Sequence, residues 1–172
     1  MQSRREVQRR QSHGSRVRFW RNLIVIVITL VVVVLVIFGI SNHPRASAKS
    51  QAIRLARQYG GLRSTDAFYI YNRDQTYYSV SGKNGQGQNI IVIVPQKGGS
   101  LRVEKTANGL SAADVRQKTR LNKHPAKILK VAPGVFNNHV VWEVTYQNHQ
   151  GQLCYDLINF KTGKYISQIN NI

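Results

Sequence analysis

One uninterrupted apolar segment, Leu23–Ile40, limits what this chain can fold into. It consists of LIVIVITLVVVVLVIFGI and contains no charged residue. As an α-helix it would extend about 27 Å, close to the thickness of a bilayer's hydrocarbon core. A helix that is apolar on every side could otherwise be stable only inside a large core, which a chain of 172 residues does not easily provide. The segment therefore predicts one transmembrane helix, residues 23–40.

The residues that flank this segment are typical of a membrane interface. We expect Trp20, Arg21 and Phe38 there, where their side chains stay partly hydrated. The tail, residues 1–22, contains seven arginines and one acid, Glu6, and short positive tails remain in the cytoplasm. The sequence predicts a single-pass plasma-membrane protein whose N-terminus is cytoplasmic and whose C-terminal part is extracytoplasmic.

A cleaved signal peptide is the competing interpretation. Ala46-Ser47-Ala48 matches the A-x-A pattern that precedes signal-peptidase cleavage. The apolar segment is longer than the roughly 7–15 residues of a typical signal peptide's apolar region, so we favour a retained anchor. Cleavage after Ala48 would instead release the outer part as a soluble protein.

The outer part is strongly basic and contains one cysteine. The chain has 25 Lys and Arg against 7 Asp and Glu, and 18 basic and 6 acidic residues follow the apolar segment. Such a surface attracts anionic lipid or anionic wall polymer through forces that salt screens, whereas nucleic acid is not an expected partner outside the cell. Cys154 cannot form an internal disulfide, and we expect a small buried apolar side chain there.

One helix followed by four strands occurs twice beyond a short connection at residues 41–48. The first helix lies in KSQAIRLARQYGGL, and Ser111 begins the second. The strands are AFYIYN, TYYSVSG, QNIIVIVP and SLRVEK, then AKILKVAPGVF, HVVWEVTYQ, QLCYDLINF and KYISQI. A shift of 64 residues superimposes turn residues of the two copies: Asn84 on Asn148, Gly87 on Gly151 and Gln88 on Gln152. The pattern predicts an α+β fold of two helix-on-antiparallel-sheet modules, residues 49–106 and 110–172.

The register of the second hairpin carries a hypothesis about two acids. A two-residue turn at His149-Gln150 would pair Trp142 with Leu157 and Glu143 with Asp156. The two carboxylates would then share one face of the sheet, where they could hold a cation or share a proton. The simpler alternative is that this face is exposed and both acids are solvated.

The sequence contains none of the common catalytic or metal-binding motifs. It has no Ser-centred elbow, Walker-type loop, paired-Cys zinc spacing or metalloprotease helix, so we expect no catalysis, metal or cofactor. One cluster could bind an anionic surface, although a solvated helix face explains most of it more simply. Its members are Arg116, Lys118, Arg120, Lys123, Lys127 and Lys130.

Two motifs indicate a family. They are Y-x-V…N-x-x-G at Tyr78–Gly87 and W-E-V-x-Y…G…Y-x-x-I-N-x-x-T-G at Trp142–Gly163. Together with the Arg-rich tail and the single apolar helix, they resemble the TseB-like cell wall elongation regulators of Gram-positive bacteria. The resemblance implies two cystatin-like or PepSY-like modules outside the membrane. It also implies a non-enzymatic role in peptidoglycan synthesis beside a membrane-bound penicillin-binding protein.

Three functions are consistent with the sequence. The leading hypothesis is an anchored regulator that docks laterally on a membrane-bound wall synthase. A PepSY-like inhibitor or sensor of an extracellular peptidase is the second, and a protease assay would distinguish it. The third is an electrostatic adaptor to anionic wall polymer or lipid, whose binding would weaken steeply with salt.

Overall fold

The structure, a computed structural model, describes the backbone of residues 3–170 and the side chains of residues 18–36 and 45–170. Helix α1 extends over Ser3–Tyr59. Its segment Arg18–Val36 is long and apolar enough to cross a membrane, and its apolar side chains are exposed in the isolated chain. The side chain of Phe38 lies outside the described residues. Residues from Ser47 onward form one compact unit of their own.

The first module is an antiparallel sheet packed against the end of α1. Its strands, in spatial order, are β1 (Ala67–Asn72), β2 (Thr76–Lys83), β3 (Asn89–Pro95) and β4 (Arg102–Lys105). Ala52 and Ala56 are buried against one face of the sheet. The chain also approaches that face closely just after the helix, at Gly60: a Cβ atom added there would lie 2.8 Å from both methyl groups of Val92. The small side chains of Ala52 and Ala56 and the missing side chain of Gly60 therefore permit the packing.

The second module repeats this arrangement with a separate helix, α2 (Ala112–Lys123). Its strands, again in spatial order, are β5 (Lys127–Phe136), β6 (His139–Gln147), β7 (Leu153–Asn159) and β8 (Tyr165–Ile169). Ser111, where the sequence predicts that this helix begins, forms a capping box with Asp114, in which each side chain bonds the other residue's amide. Val115, buried on α2, packs with Trp142 and Val144 of β6.

The register of the central hairpins differs by one residue from the sequence prediction. Trp142 lies opposite Ile158, not Leu157, and Glu143 lies opposite Leu157, not Asp156. The first hairpin has the corresponding register, with Val80 opposite Val92. Because neighbouring side chains in a strand point to opposite faces, a shift of one residue exchanges the faces of an entire strand relative to its partner.

A three-residue loop after an asparagine is the cause of the shift. The Asn148 amide donates to the Gln152 carbonyl, and the Gly151 amide donates to the Asn148 carbonyl. The Asn148 side-chain oxygen accepts the amides of Gln150 and Gln152, at 3.0 and 2.9 Å. Gly151 has a φ of 83°, the left-handed conformation that closes a three-residue hairpin loop. The sequence prediction assumed a two-residue loop and was wrong by that one residue.

The first copy forms the same loop with the aligned residues. The Asn84 side-chain oxygen accepts the amides of Gln86 and Gln88, both at 2.9 Å, and Gly87 has a φ of 75°. The helix–strand order and the antiparallel strand order are also the same in both copies. The internal repeat predicted from the shift of 64 residues is therefore confirmed.

The two sheets pack on each other inside the compact unit. The Ser79 hydroxyl donates to the Pro133 carbonyl at 2.8 Å across the junction. Tyr71 of the first sheet lies over Gly134 of the second, where an added Cβ would come within 2.2 Å of the ring. Tyr71 forms a buried cluster with Val141 and Leu157. The second sheet is thus covered by α2 on one face and by residues of the first module on the other.

The loop interactions give a first prediction. Replacing Asn148 by Ala should lower the free energy of unfolding by about 1–2 kcal/mol, because two loop amides lose their acceptor. Asn148→Asp keeps a side-chain oxygen and should retain most of the stability, and His149→Ala, in the same exposed loop, should change little. Urea unfolding followed by circular dichroism measures all three. Equal stability of Asn148→Ala and wild type would contradict this account of the loop.

Candidate functional site

The structure places the two predicted acids on opposite faces of the second sheet. Asp156 lies opposite Val144 and faces α2, whereas Glu143 lies opposite Leu157 on the other face. Both are buried, with relative exposures of 0% for Asp156 and 4% for Glu143. The predicted carboxylate pair is therefore wrong, because the loop residue that shifts the register also separates the two side chains. Each acid has its own surroundings.

Glu143 joins the two modules electrostatically. Lys130, on the neighbouring strand β5, donates to its carboxylate at 2.7 Å. Arg73, which follows β1 of the first module, lies 4.0 Å from the other carboxylate oxygen. A buried carboxylate with basic partners from both modules opposes their separation, because pulling them apart would leave a charge with fewer partners. The aligned residue of the first copy is Ser79, which also bonds across the junction.

The Tyr71 hydroxyl is buried near Glu143 and Arg73 and has no hydrogen-bond partner among the described residues. Burial raises the pKa of Tyr71 to about 12, with a further contribution from the negative charge of Glu143. The phenol is therefore neutral at any physiological pH and cannot serve as a base there. The junction is consistent with a structural contact and contains no activated proton acceptor of this kind.

Asp156 is a buried acid in an unfavourable position. Among the described residues, none donates a hydrogen bond of good geometry to either of its carboxylate oxygens, and its ion-pair partner, the Lys123 ammonium of α2, is 3.9 Å away. Burial raises the pKa of this carboxyl, and Lys123 and the nearby Tyr146 hydroxyl counteract only part of that shift. The aligned residue in the first copy is Val92, so an apolar side chain is compatible with this position in the fold.

The remaining chemical candidates do not form a reactive cluster. Cys154 is buried, as predicted, opposite Tyr146. Within the residues whose side chains are described, no three His, Cys, Asp or Glu side chains are grouped so that they could hold a metal ion.

The predicted basic cluster divides into two sets. Lys118 and Lys123 lie 5.4 and 5.1 Å from the centre of the Tyr165 ring, and Lys130 is bonded to Glu143. These three lysines are engaged inside the module. The other three members have no acidic partner among the described side chains: Arg116, Arg120 and Lys127. The structure does not test whether these three bind an anion, so that remains a prediction.

The proposed interface residues can be placed in part. Trp20 and Arg21 lie on α1 at the start of the candidate span, and Trp20 is 62% exposed in the isolated chain. Exposure of an indole at the end of an apolar helix is consistent with a membrane interface. The location of Trp20 and Arg21 at a membrane interface remains a prediction.

A groove between the modules was not predicted from the sequence. It is lined by three connecting segments: the β1–β2 turn, the β3–β4 loop and the β5–β6 turn. The only sequence signal is Gly98-Gly99, which indicates a loop but not what lies across from it. The groove forms only because the first sheet packs beside β5, a contact between residues far apart in the chain.

Comparison with known proteins agrees with the sequence motifs. Residues 51–95 match a family described as the cell wall elongation regulator TseB-like domain. The resemblance to the TseB-like regulators is confirmed. The chain is 25% identical to the "Probable cell wall elongation regulator TseB" of Bacillus subtilis (strain 168) over 129 aligned residues. The alignment covers 74% of this chain and 76% of that relative. The solved structure of the YpmB protein from Bacillus subtilis has a TM-score of 0.61 and 25% identity, covering 70% of this chain and 95% of that chain.

The raised pKa of Asp156 gives a second prediction. The folded state holds this proton more tightly than the unfolded state, so the contribution of Asp156 to stability is most favourable at low pH and decreases as the pH rises through the folded-state pKa. Asp156→Asn should remove that decrease and raise the stability at pH 7 by about 1–2 kcal/mol. Asp66→Asn makes the same charge change at an exposed position and should alter the stability at pH 7 by less than about 0.5 kcal/mol. Unfolding measured from pH 4 to 8 tests both, and a less stable Asp156→Asn at pH 7 would refute the interpretation.

Proposed function

We propose that this protein is a membrane-anchored, non-enzymatic regulator of cell wall elongation that binds a membrane-bound penicillin-binding protein. The observation that carries the proposal is the similarity to a TseB protein over three quarters of the chain. That similarity supports a regulatory role in cell wall elongation. The similarity does not extend to the penicillin-binding partner or to the absence of catalysis, and both of these are proposals.

The proposed topology follows from charge and length. The arginine-rich tail stays in the cytoplasm, and the candidate span at Arg18–Val36 crosses the plasma membrane. The two-module unit then lies outside the cell, where peptidoglycan is assembled. We propose that its modules are cystatin-like or PepSY-like binding modules, a description supported by the four-stranded sheets that each cover one helix.

Anchoring is part of the proposed mechanism. Two proteins confined to one membrane meet at a far higher effective concentration than they do in free solution, so a weak contact is sufficient for regulation. The compact unit offers apolar side chains on its surface that a partner would cover. They include Val103, Leu121, Leu129 and Ile166, which are 44%, 64%, 46% and 41% exposed. Isolated exposed apolar residues are common, so these mark positions to probe and do not define an interface.

Photo-crosslinking in cells tests the proposed partner. A photoreactive amino acid at Leu121 or Ile166 should form an adduct with a penicillin-binding protein, identified by mass spectrometry. Replacing the anchor with a cleavable signal peptide should abolish the adduct, because the released unit loses its high local concentration. Recovery of no wall-synthesis enzyme from any position, together with normal wall growth in a deletion strain, would refute the proposal.

We also propose that the exposed cations bind anionic wall polymer or the headgroups of anionic lipid. The supporting observation is that most acidic side chains of the compact unit already have a partner within it. Glu143, Asp156 and Glu104 are paired with basic side chains, and Asp114 caps α2. Of the six acids that follow the span, Asp66 and Asp74 remain to balance the exposed basic residues. The surface of the compact unit is therefore strongly cationic and attracts polyanions.

The division of the basic cluster makes this second proposal testable. Changing Arg116, Arg120 and Lys127 together to Gln should reduce the binding of wall polymer at least tenfold at low salt, with stability changed by less than about 0.5 kcal/mol. Lys130→Gln should instead leave the binding of wall polymer nearly unchanged and lower stability by about 2 kcal/mol, because buried Glu143 loses a partner. Polymer binding that is insensitive to salt and to the triple substitution would exclude the electrostatic role.

A further inference from the structure

The groove between the two modules has the dimensions and the lining of a small binding site. Its volume is about 320 Å³, which is at the lower end of the range for ligand pockets. Its apolar lining residues are Tyr77, Ile93, Pro95 and Val135, and its polar ones are Gln75, Ser100, Arg102 and Asn138. Gly98 and Gly99 complete the rim. A ligand in this groove would contact both modules at once.

The groove contains a cation whose charge no acid neutralises. Arg102 of β4 donates one hydrogen bond to the Asn138 carbonyl at 3.0 Å and another to the Asn138 side-chain oxygen. Both acceptors are neutral, and no carboxylate of the described side chains lies within ion-pair distance of this guanidinium. A guanidinium carries five N–H donors, so three remain for a ligand. The two bonds to Asn138 hold the guanidinium in place, which reduces the entropy that a ligand would otherwise have to remove.

The β3–β4 loop adds neutral donors beside this cation. Among the described residues, the backbone amides of Gly99 and Ser100 donate to no acceptor, whereas Gly98 ends the turn formed by Gln96 and Lys97. Gly98 and Gly99 have φ values of 81° and 115°, a region that side chains rarely permit. Because neither glycine has a side chain, a ligand can approach this backbone closely. Free amides next to a guanidinium favour an anionic group that accepts several hydrogen bonds.

We propose that this groove binds the C-terminal carboxylate of a peptide. The carboxylate lies against Arg102 and the loop amides, and the last apolar side chain packs on Tyr77 and Val135. The apolar lining distinguishes this ligand from a free inorganic anion, which would gain nothing from it. The site is independent of the proposed synthase partner, because it concerns what the compact unit itself recognises.

Calorimetric titration of the full chain in detergent micelles tests the proposal. N-acetyl-trialanine with a free carboxylate should bind with a dissociation constant on the order of 0.1–1 mM. Its C-terminal amide should bind at least tenfold more weakly, because it lacks the charge that pairs with Arg102. Arg102→Gln should weaken the binding of the free acid at least tenfold. Lys97→Gln removes one positive charge from the same loop without touching the groove and should leave binding unchanged.

A second variant separates binding from stability. Ser100 is exposed on the rim, so Ser100→Trp should fold normally, fill the groove and abolish binding. Thermal unfolding confirms that each variant is folded. Three outcomes would overturn the proposal: no binding of the free acid at 10 mM (about tenfold above the weakest expected constant), equal binding of acid and amide, or equal binding of acetate. If N-acetyl-Ala-Asp-Ala-amide bound as tightly as N-acetyl-trialanine, the groove would recognise side-chain carboxylates, and that result would also overturn the proposal.

Discussion

The hydrogen bonds of the Asn148 side chain determine which residues of the second module are buried. By accepting two amides of the β6–β7 loop, Asn148 stabilises a three-residue loop, and the loop length sets the register of the two central strands. That register places Asp156 beneath α2 and Glu143 toward the first module. A loop shorter by one residue would bury a different set of side chains, since neighbouring residues of a strand face opposite ways.

The sheet that follows from this register is covered on both faces, and this explains its buried acids. Glu143 lies at the junction with basic partners from both modules, whereas Asp156 lies under α2 with one distant lysine. The first acid contributes to holding the modules together, and the second reduces stability at neutral pH because burial disfavours its charged form. Each of these ion pairs removes one positive and one negative charge from the surface, so the excess of basic residues outside the pairs stays as large as the composition indicates.

The features suited to recognition lie where the two modules meet. The groove combines loops that are far apart in the chain, and its cation is held by an asparagine from the opposite module. A duplicated fold provides such a junction without adding a new element, since the same hairpin loop and helix are used twice. The candidate span would concentrate this unit at the membrane, which suits a regulator with weak individual contacts.

The sequence by itself determined the features that depend on neighbouring residues. The apolar segment, the capping box at Ser111, the eight strands and the repeat of 64 residues all follow from local composition and spacing, and the structure agrees with them. The register, the burial of Glu143 and Asp156 and the groove beside Arg102 were decided by the tertiary structure. One extra loop residue inverts the faces of a strand, and side chains from distant segments meet only after the two sheets have packed together.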